Sequence, residues 1–413
     1  MDRMQACGVC DAGSIPAGDT MEKDKKILGL QKNVFVLGLT SLFNDFSNEM
    51  ILAIFPAFFT SVLKSGAASL GLVEGLADAM ANFIKIYSGR ISDKIQKRKI
   101  FAILGYSLSV AIRPFYILTG AIGGILGLRL IDRVGKGLRE PPRDALISLS
   151  VNKEELGRSF GYHRAMDSIG GILGPLVAFF ILKSFPFGFN LVFMTAFLVG
   201  LIAIFSLFFV KEVSAVARNG DFKLARLKDF SSRFKIYIFS VFILSAGSLP
   251  VAVLLLKTQD LGMIIAYIPL YYMVYNISFT IFSYLAGRAA DKWGDSRVII
   301  LGYILLILGY MVLIYTNSAI SLIFGFLLIG LFGALTDGIH RSYTANLTTP
   351  EHRSSAYGYL NGISGFGSLA AGIIGGYLWQ YFNSSTALAA SGLIVLLGLI
   401  LFIATQTKKI ISA

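Results

Sequence analysis

The chain has 413 residues, 55% of them hydrophobic and 15% charged, with a formal net charge of +13. A soluble domain of this size cannot hide so much apolar surface, because interior volume is limited and the surface must meet water. Lipid is the expected solvent, and uncharged runs such as 298–315 and 392–404 suit the ~20 residues of helix that cross a bilayer core. They lack the alternation of a membrane β-barrel.

Residues 1–32 read as a polar cytoplasmic tail. Its CGVC contains Cys7 and Cys10, but one CxxC lacks the four ligands of a structural zinc site. No metal is expected. Met21 is an alternative start, and no apolar core of a cleavable signal peptide is visible. Hydropathy and turn signals then predict twelve spans, near 33–62, 68–88, 99–119, 121–141, 157–183, 188–210, 236–256, 263–286, 297–315, 319–342, 355–381 and 384–405. The basic, polar stretch 211–235 reads as a linker between a six-helix bundle at 33–210 and a second at 236–405, with a tail at 406–413. The fold class expected is all-α integral membrane.

A basic chain invites a nucleic-acid reading, but the placement of its cations argues against one. Of 37 Lys and Arg, 31 fall on the side of the predicted spans that holds both termini, while the opposite loops hold Lys64, Lys183 and Lys257. Cations stay cytoplasmic during insertion, so both termini are expected inside a cell membrane.

Charges within spans are costly and usually functional. Span 1 carries Asn44, Asp45, Asn48 and Glu49, with the two acids four apart on one face. Span 2 carries Glu74 and Asp78, then Lys85; span 4 carries Arg129, Asp132 and Arg133; span 5 carries His163, Arg164 and Asp167. Arg113, near the outer end of span 3, is expected to snorkel to the surface. The second half is quieter. Tyr271, Tyr275 and Asn276 of span 8 are candidate cavity residues, and Asp337 and Arg341 close span 10.

The halves repeat. Gly89 and Asp93 recur as Gly287 and Asp291, and Arg143 as Arg341, each 198 residues later. Parallel six-span repeats are a transporter design, with the binding site at their interface. On these residues the chain resembles the major facilitator superfamily of secondary transporters over essentially its whole length. The resemblance rests on the loop motif G-x-x-x-D-(R/K)-x-G-(R/K)-(R/K). The first copy has Gly89, Asp93, Lys94, Lys97 and Arg98, with Gln96 where glycine is usual; the second has Gly287, Asp291, Lys292 and Gly294. Gly170, Gly174 and Pro175 match part of the superfamily's antiporter motif, whose last two glycines are replaced by Ala178 and Phe179.

The resemblance implies two pseudo-twofold bundles, alternating access, and an inner gate around Gly89, Asp93, Lys94, Arg139, Arg143, Gly287, Asp291, Lys292, Asp337 and Arg341. It also implies that spans 1 and 4 line the cavity. With similar depths counted from the inner ends, Asp45–Arg129 is the expected buried pair, and Asn44, Asn48, Asp132 and Arg133 join it as cavity candidates. Two acids one turn apart repel, so one should hold a proton. Asp45 and Glu49, then Glu74 and Asp78, are therefore the coupling candidates. No nucleotide, iron–sulfur or other cofactor motif is present, and the only three histidines, His163, His340 and His352, all fall near the cytoplasmic side, which argues against a membrane metalloenzyme. The expected activity is proton-coupled export of a small organic solute by a monomer. Uptake of an organic anion held by Arg129, or a non-transporting receptor, are the alternatives.

Overall fold

The computed structural model describes residues 26–152, 155–213, 225–349 and 352–411. The first half contains α1 (Lys32–Ser61), α2 (Ala67–Ile95), α3 (Arg98–Ala111, continued by a 3-10 turn at Arg113–Leu118), α4 (Ile122–Leu149), α5 (Leu156–Ser184) and α6 (Phe189–Leu207). The second contains α7 (Ser232–Gly247), α8 (Val251–Asp260), α9 (Ile268–Trp293), α10 (Asp295–Tyr315), α11 (Ala319–Asn346), α12 (Arg353–Tyr381) and α13 (Ser384–Ile411). Among the described residues, nine helical segments are long and apolar enough to cross a membrane, with α7 and α8 counted as one. Helices α1, α4 and α12 complete the twelve. They are less apolar because α1 and α4 carry the intramembrane charges and α12 is rich in Gly and Ser. We call the face holding Lys32 the terminal face, and its opposite the far face.

The seventh span breaks at Ser248–Pro250, as a proline without an N–H dictates. Tyr310 of α10 satisfies the freed backbone groups: its hydroxyl accepts from Leu249 N at 2.8 Å and donates to Gly247 O at 3.1 Å. The two loop motifs share a further backbone feature. Gly294 has φ +89°, and Gln96, 198 residues earlier, is left-handed at φ +57°. The glycine of the motif is thus explained by a conformation that glycine adopts freely, which Gln96 adopts at some cost.

The halves meet chiefly through α2 against α12 and α5 against α9. Near the far face, α2 and α12 touch backbone to backbone. A methyl group at Gly71 would overlap the Gly372 carbonyl, and one at Gly376 would lie 2.5 Å from Ala67 O. Moving toward the terminal face, a methyl at Gly365 would clear Ala79 Cα by 3.2 Å, and one at Gly362 would meet only Ile86, at 3.9 Å. The helices diverge. Other bonds between halves also lie toward the far face: Thr60 donates to Gln259 Oε1 at 2.6 Å, Ala68 N to Gln380 Oε1 at 3.0 Å, and the Phe179 and Tyr267 rings lie 5.5 Å apart. The structure is closed at the far face and splayed at the terminal one.

Replacing Gly71 or Gly372 by leucine should wedge the far-face contact apart. The expected result is weaker cross-linking of a cysteine pair at Thr60 and Gln259, and greater reagent access to Tyr272 replaced by cysteine. Unchanged cross-linking would show that this contact does not hold the closure.

Candidate functional site

A cavity of about 280 Å³ lies between the halves. Its first-half wall is polar: Asn48 and Glu49 of α1, Glu74 and Asp78 of α2, Arg133 and Lys136 of α4. The second-half wall is apolar and aromatic, formed by Val251, Ala252 and Leu255 after the Pro250 break, and by Tyr272 and Tyr275 of α9. Those two rings stack at 5.9 Å with planes 7° apart, and Tyr275 continues onto Phe279 at 6.3 Å.

The charges behind the polar wall are organised by one fork. Arg129 donates from Nε to Glu74 Oε1 at 2.7 Å and from Nη2 to Glu74 Oε2 at 2.8 Å. Its guanidinium also reaches Asp132 at 3.3 Å and lies over the Phe55 ring at 5.0 Å. Bidentate geometry of this kind gives the strong form of an ion pair. Arg133 sits among Glu74, Asp78 and Asp132 at 3.8, 3.8 and 3.9 Å. At the wall's edge, Glu140 joins Lys85 at 2.7 Å and Lys136 at 3.8 Å.

Asp45 and Glu49 differ. Among the described residues no Lys, Arg or His nitrogen lies within 4.0 Å of either carboxylate. Asp45 accepts from Asn44 Nδ2 at 3.0 Å. Glu49 accepts from Asn48 Nδ2 at 3.0 Å and, across the two halves, from the Tyr272 hydroxyl at 2.5 Å. The α5 glycines position both acids. A methyl at Gly170 would lie 2.5 Å from Leu42 O and 3.2 Å from Asp45 Cβ; one at Gly174 would lie 2.6 Å from Phe46 O and 2.9 Å from Glu49 Cβ. These two residues of the helix-5 motif are therefore the bed on which α1 rests at its acids. Pro175 follows, buried within α5.

Several expectations need correction. Arg129 pairs with Glu74, not Asp45. The expected fourth span ends at 141, whereas α4 runs unbroken through Pro141 and Pro142 to Leu149. Glu74 and Arg129 each lie seven residues past the far-face start of their helices, Ala67 and Ile122, so they are level. Arg139 and Arg143 are buried on that continuous helix, which meets the motif glycine Gly89 at Pro141. Arg139 donates to Ser109 at 2.8 Å and covers the Tyr106 ring at 4.8 Å, and Arg143 donates to Asp144 at 2.8 Å. Arg113 does not snorkel. It is buried, donates to Ser47, and reaches Ala196 O at 3.3 Å and Asn44 Oδ1 at 3.4 Å.

Of the cavity candidates, Asn48, Arg133 and Tyr275 line this cavity, whereas Asn44, Arg129, Asp132, Tyr271 and Asn276 do not. Tyr271 is buried toward Met263, and Asn276 donates across the halves to Gly171 O at 2.8 Å. Tyr272 takes the place expected of Tyr271: three- and four-residue spacings both suit one helix face, and packing chose the former. Two further signals were available in the sequence. Lys136 continues the row Arg129–Arg133 on α4, and the SLP tripeptide at 248–250 marks the break.

At the gate, Gly89 approaches Pro141 of α4, a methyl there lying 3.3 Å from Pro141 Cβ, whereas Gly287 has open space. Lys94, Asp291, Lys292, Asp337 and Arg341 are exposed. The Asp93 side chain lies outside the described residues, as do Cys7, Cys10, Met21 and residues 214–224 of the expected linker.

This architecture, two helical bundles with a polar cavity between them, is that of a membrane transporter. The sequence profile of the Major Facilitator Superfamily matches residues 37–279 and 236–410. An uncharacterized MFS-type transporter of Methanocaldococcus jannaschii is 35% identical over 378 residues, 90% of this chain and 94% of that one. A proton-coupled antiporter flippase of Staphylococcus aureus is 26% identical over 379 residues, 85% of this chain and 89% of that one. The crystal structure of a peptide transporter POT variant has TM-score 0.78 at 14% identity, covering 93% of this chain and 96% of that one. The chain belongs to the Major Facilitator Superfamily, and it is a multi-pass membrane transporter.

Removing one partner of a buried ion pair strands the other. Glu74→Leu or Arg129→Met alone should cost about 3–5 kcal/mol, read as a lower thermal unfolding midpoint in detergent. The double substitution should cost less than either single one. Strict additivity of the two would show that the fork does not couple α2 to α4.

Proposed function

We propose that the protein is a proton-coupled secondary transporter that exports a small organic solute, and that the acids of α1 carry the coupling. The observation that carries this reading is the pair Asp45 and Glu49, one helical turn apart. Neither has a cation within 4.0 Å among the described residues. Two carboxylates without a paired cation in a low-dielectric interior repel each other, and a proton on one relieves the repulsion.

Asp45 is the proposed proton site. It lies deep in the first half, within electrostatic reach of Glu49, Asp167, Arg139 and Arg143. Asp167 is held by Ser41 and by His163 Nδ1 at 3.3 Å. A change of charge on Asp45 is therefore felt by residues of α1, α4 and α5 together. Glu49 accepts from Tyr272, so its charge state bears on a bond between the halves. Antiport in the Staphylococcus aureus relative and the partial helix-5 motif favour export.

The terminal face is proposed as cytoplasmic, because 31 of 37 Lys and Arg lie on that side of the spans. The conformation is then inward-facing, and the outward-facing state requires the far-face contacts to part. The exposed residues Asp291, Lys292, Asp337 and Arg341 would come together with the motif at Gly89 and Asp93 when the inner gate shuts.

In proteoliposomes with an imposed pH gradient, Asp45→Asn together with Glu49→Gln should reduce gradient-driven flux to background while leaving substrate exchange measurable. Intact gradient-driven accumulation would place the proton site elsewhere, with Asp78 the next acid to replace. A single cysteine at Lys228, with Cys7 and Cys10 replaced by serine, should react in intact cells only with a membrane-permeant reagent. Labelling by an impermeant one would reverse the orientation.

A further inference from the structure

We propose that the cavity takes organic cations, amines or quaternary ammonium compounds with an apolar body, and that Glu49 is their anionic contact. This deepens the transporter reading and rests on it.

Five charged side chains line the cavity: Glu49, Glu74, Asp78, Arg133 and Lys136. Four have a countercharge supplied by the protein. Glu74 is held in the fork of Arg129 at 2.7 and 2.8 Å, Asp78 and Arg133 face each other at 3.8 Å, and Lys136 is 3.8 Å from Glu140. Among the described residues Glu49 is left with neutral donors, Asn48 Nδ2 at 3.0 Å and the Tyr272 hydroxyl at 2.5 Å. Neutral donors solvate a carboxylate without cancelling its charge. A cationic solute would supply the missing partner.

The same accounting disfavours an anion. Arg129, the cation best suited by chemistry to grip a carboxylate, does not line the cavity and is 1% exposed. Its Nε and Nη2 are both bonded to Glu74. Arg133 is enclosed by three acids. An incoming anion at Arg133 would meet the repulsion of those three carboxylates, none of which is hydrogen-bonded to the guanidinium Nε.

The second-half wall supports the assignment independently. Tyr272 and Tyr275 stack with planes 7° apart and ring centroids 5.9 Å apart, and aromatic faces attract cations electrostatically. Because the Tyr272 hydroxyl is bonded to Glu49, its ring is tied beside the carboxylate. Carboxylate and aromatic ring are therefore adjacent on opposite walls of one cavity. Leu52, Val251, Ala252 and Leu255 offer the apolar body a surface.

Benzyltrimethylammonium and benzylsulfonate are close in size and opposite in charge. Titration calorimetry with the purified full-length protein in detergent should show binding of the ammonium and none of the sulfonate. Glu49→Gln should weaken ammonium binding by about ten- to a hundredfold, the scale of a lost charged contact. Tyr275→Leu should weaken it severalfold, and Tyr275→Phe, which keeps the ring, should not. Preferential binding of the sulfonate, or no ammonium binding at millimolar concentration, would overturn the cation assignment whether or not the variants fold. Ammonium affinity unchanged in a folded Glu49→Gln protein would overturn the role of Glu49. The two readings fail separately. Gradient-driven flux of an anionic or neutral solute without ammonium binding overturns the cation site alone. Ammonium binding without any response of flux to a pH gradient overturns proton coupling and leaves the site in place.

Discussion

The bidentate bond between Arg129 and Glu74 is the interaction on which the first half depends. An arginine and a glutamate in an apolar interior are each very costly alone, and tolerable only in good geometry with their remaining bonds satisfied. The fork meets that condition and joins α2 to α4 at one level. Two consequences follow. Helix α2, held in this way, carries the glycines that meet α12. With Arg129 committed to Glu74, the acids of α1 stand without an ionic partner among the described residues; both rest against α5, and Glu49 lines the cavity.

The two halves share a topology and divide the chemistry. The first supplies nearly all the intramembrane charge. The second supplies tyrosines and a span broken at Pro250, with Tyr310 closing the exposed backbone. Ionic networks fix geometry, and aromatic and aliphatic surfaces accept varied shapes. A cavity with one wall of each kind combines an oriented charge with a permissive body site.

Much of this was legible in the sequence. Span positions came from hydropathy, because a helix in lipid must satisfy its own backbone and present apolar side chains. The repeat at 198 residues and the two loop motifs pointed to the family. The acids at 45 and 49 stood out because a charge in a span is rare. Pairing was less legible. Spacing places Glu74 and Arg129 within their own helices, but their common level depends on where α2 and α4 begin at the far face. Two prolines at 141 and 142 suggested an end that the structure does not have. Arg113 is a related case: next to Pro114 it reads as terminal, while Gly200 of α6 leaves the space that its guanidinium fills. The choice of Tyr272 over Tyr271 turns on a helix rotation that only packing determines.

The contact of α2 with α12 has a mechanical consequence. From Gly71 to Gly376 it is built from Cα–H groups and carbonyls, with Ala68 N to Gln380 as a polar bond near its rim. Such a surface has little relief and few directional bonds, so two helices can roll over one another without rotamer changes or stranded donors. It behaves as a bearing. Resistance to such rolling then resides in discrete bonds such as Thr60–Gln259, Glu49–Tyr272 and Asn276–Gly171, while separation at the far face also requires the close backbone contact itself to part.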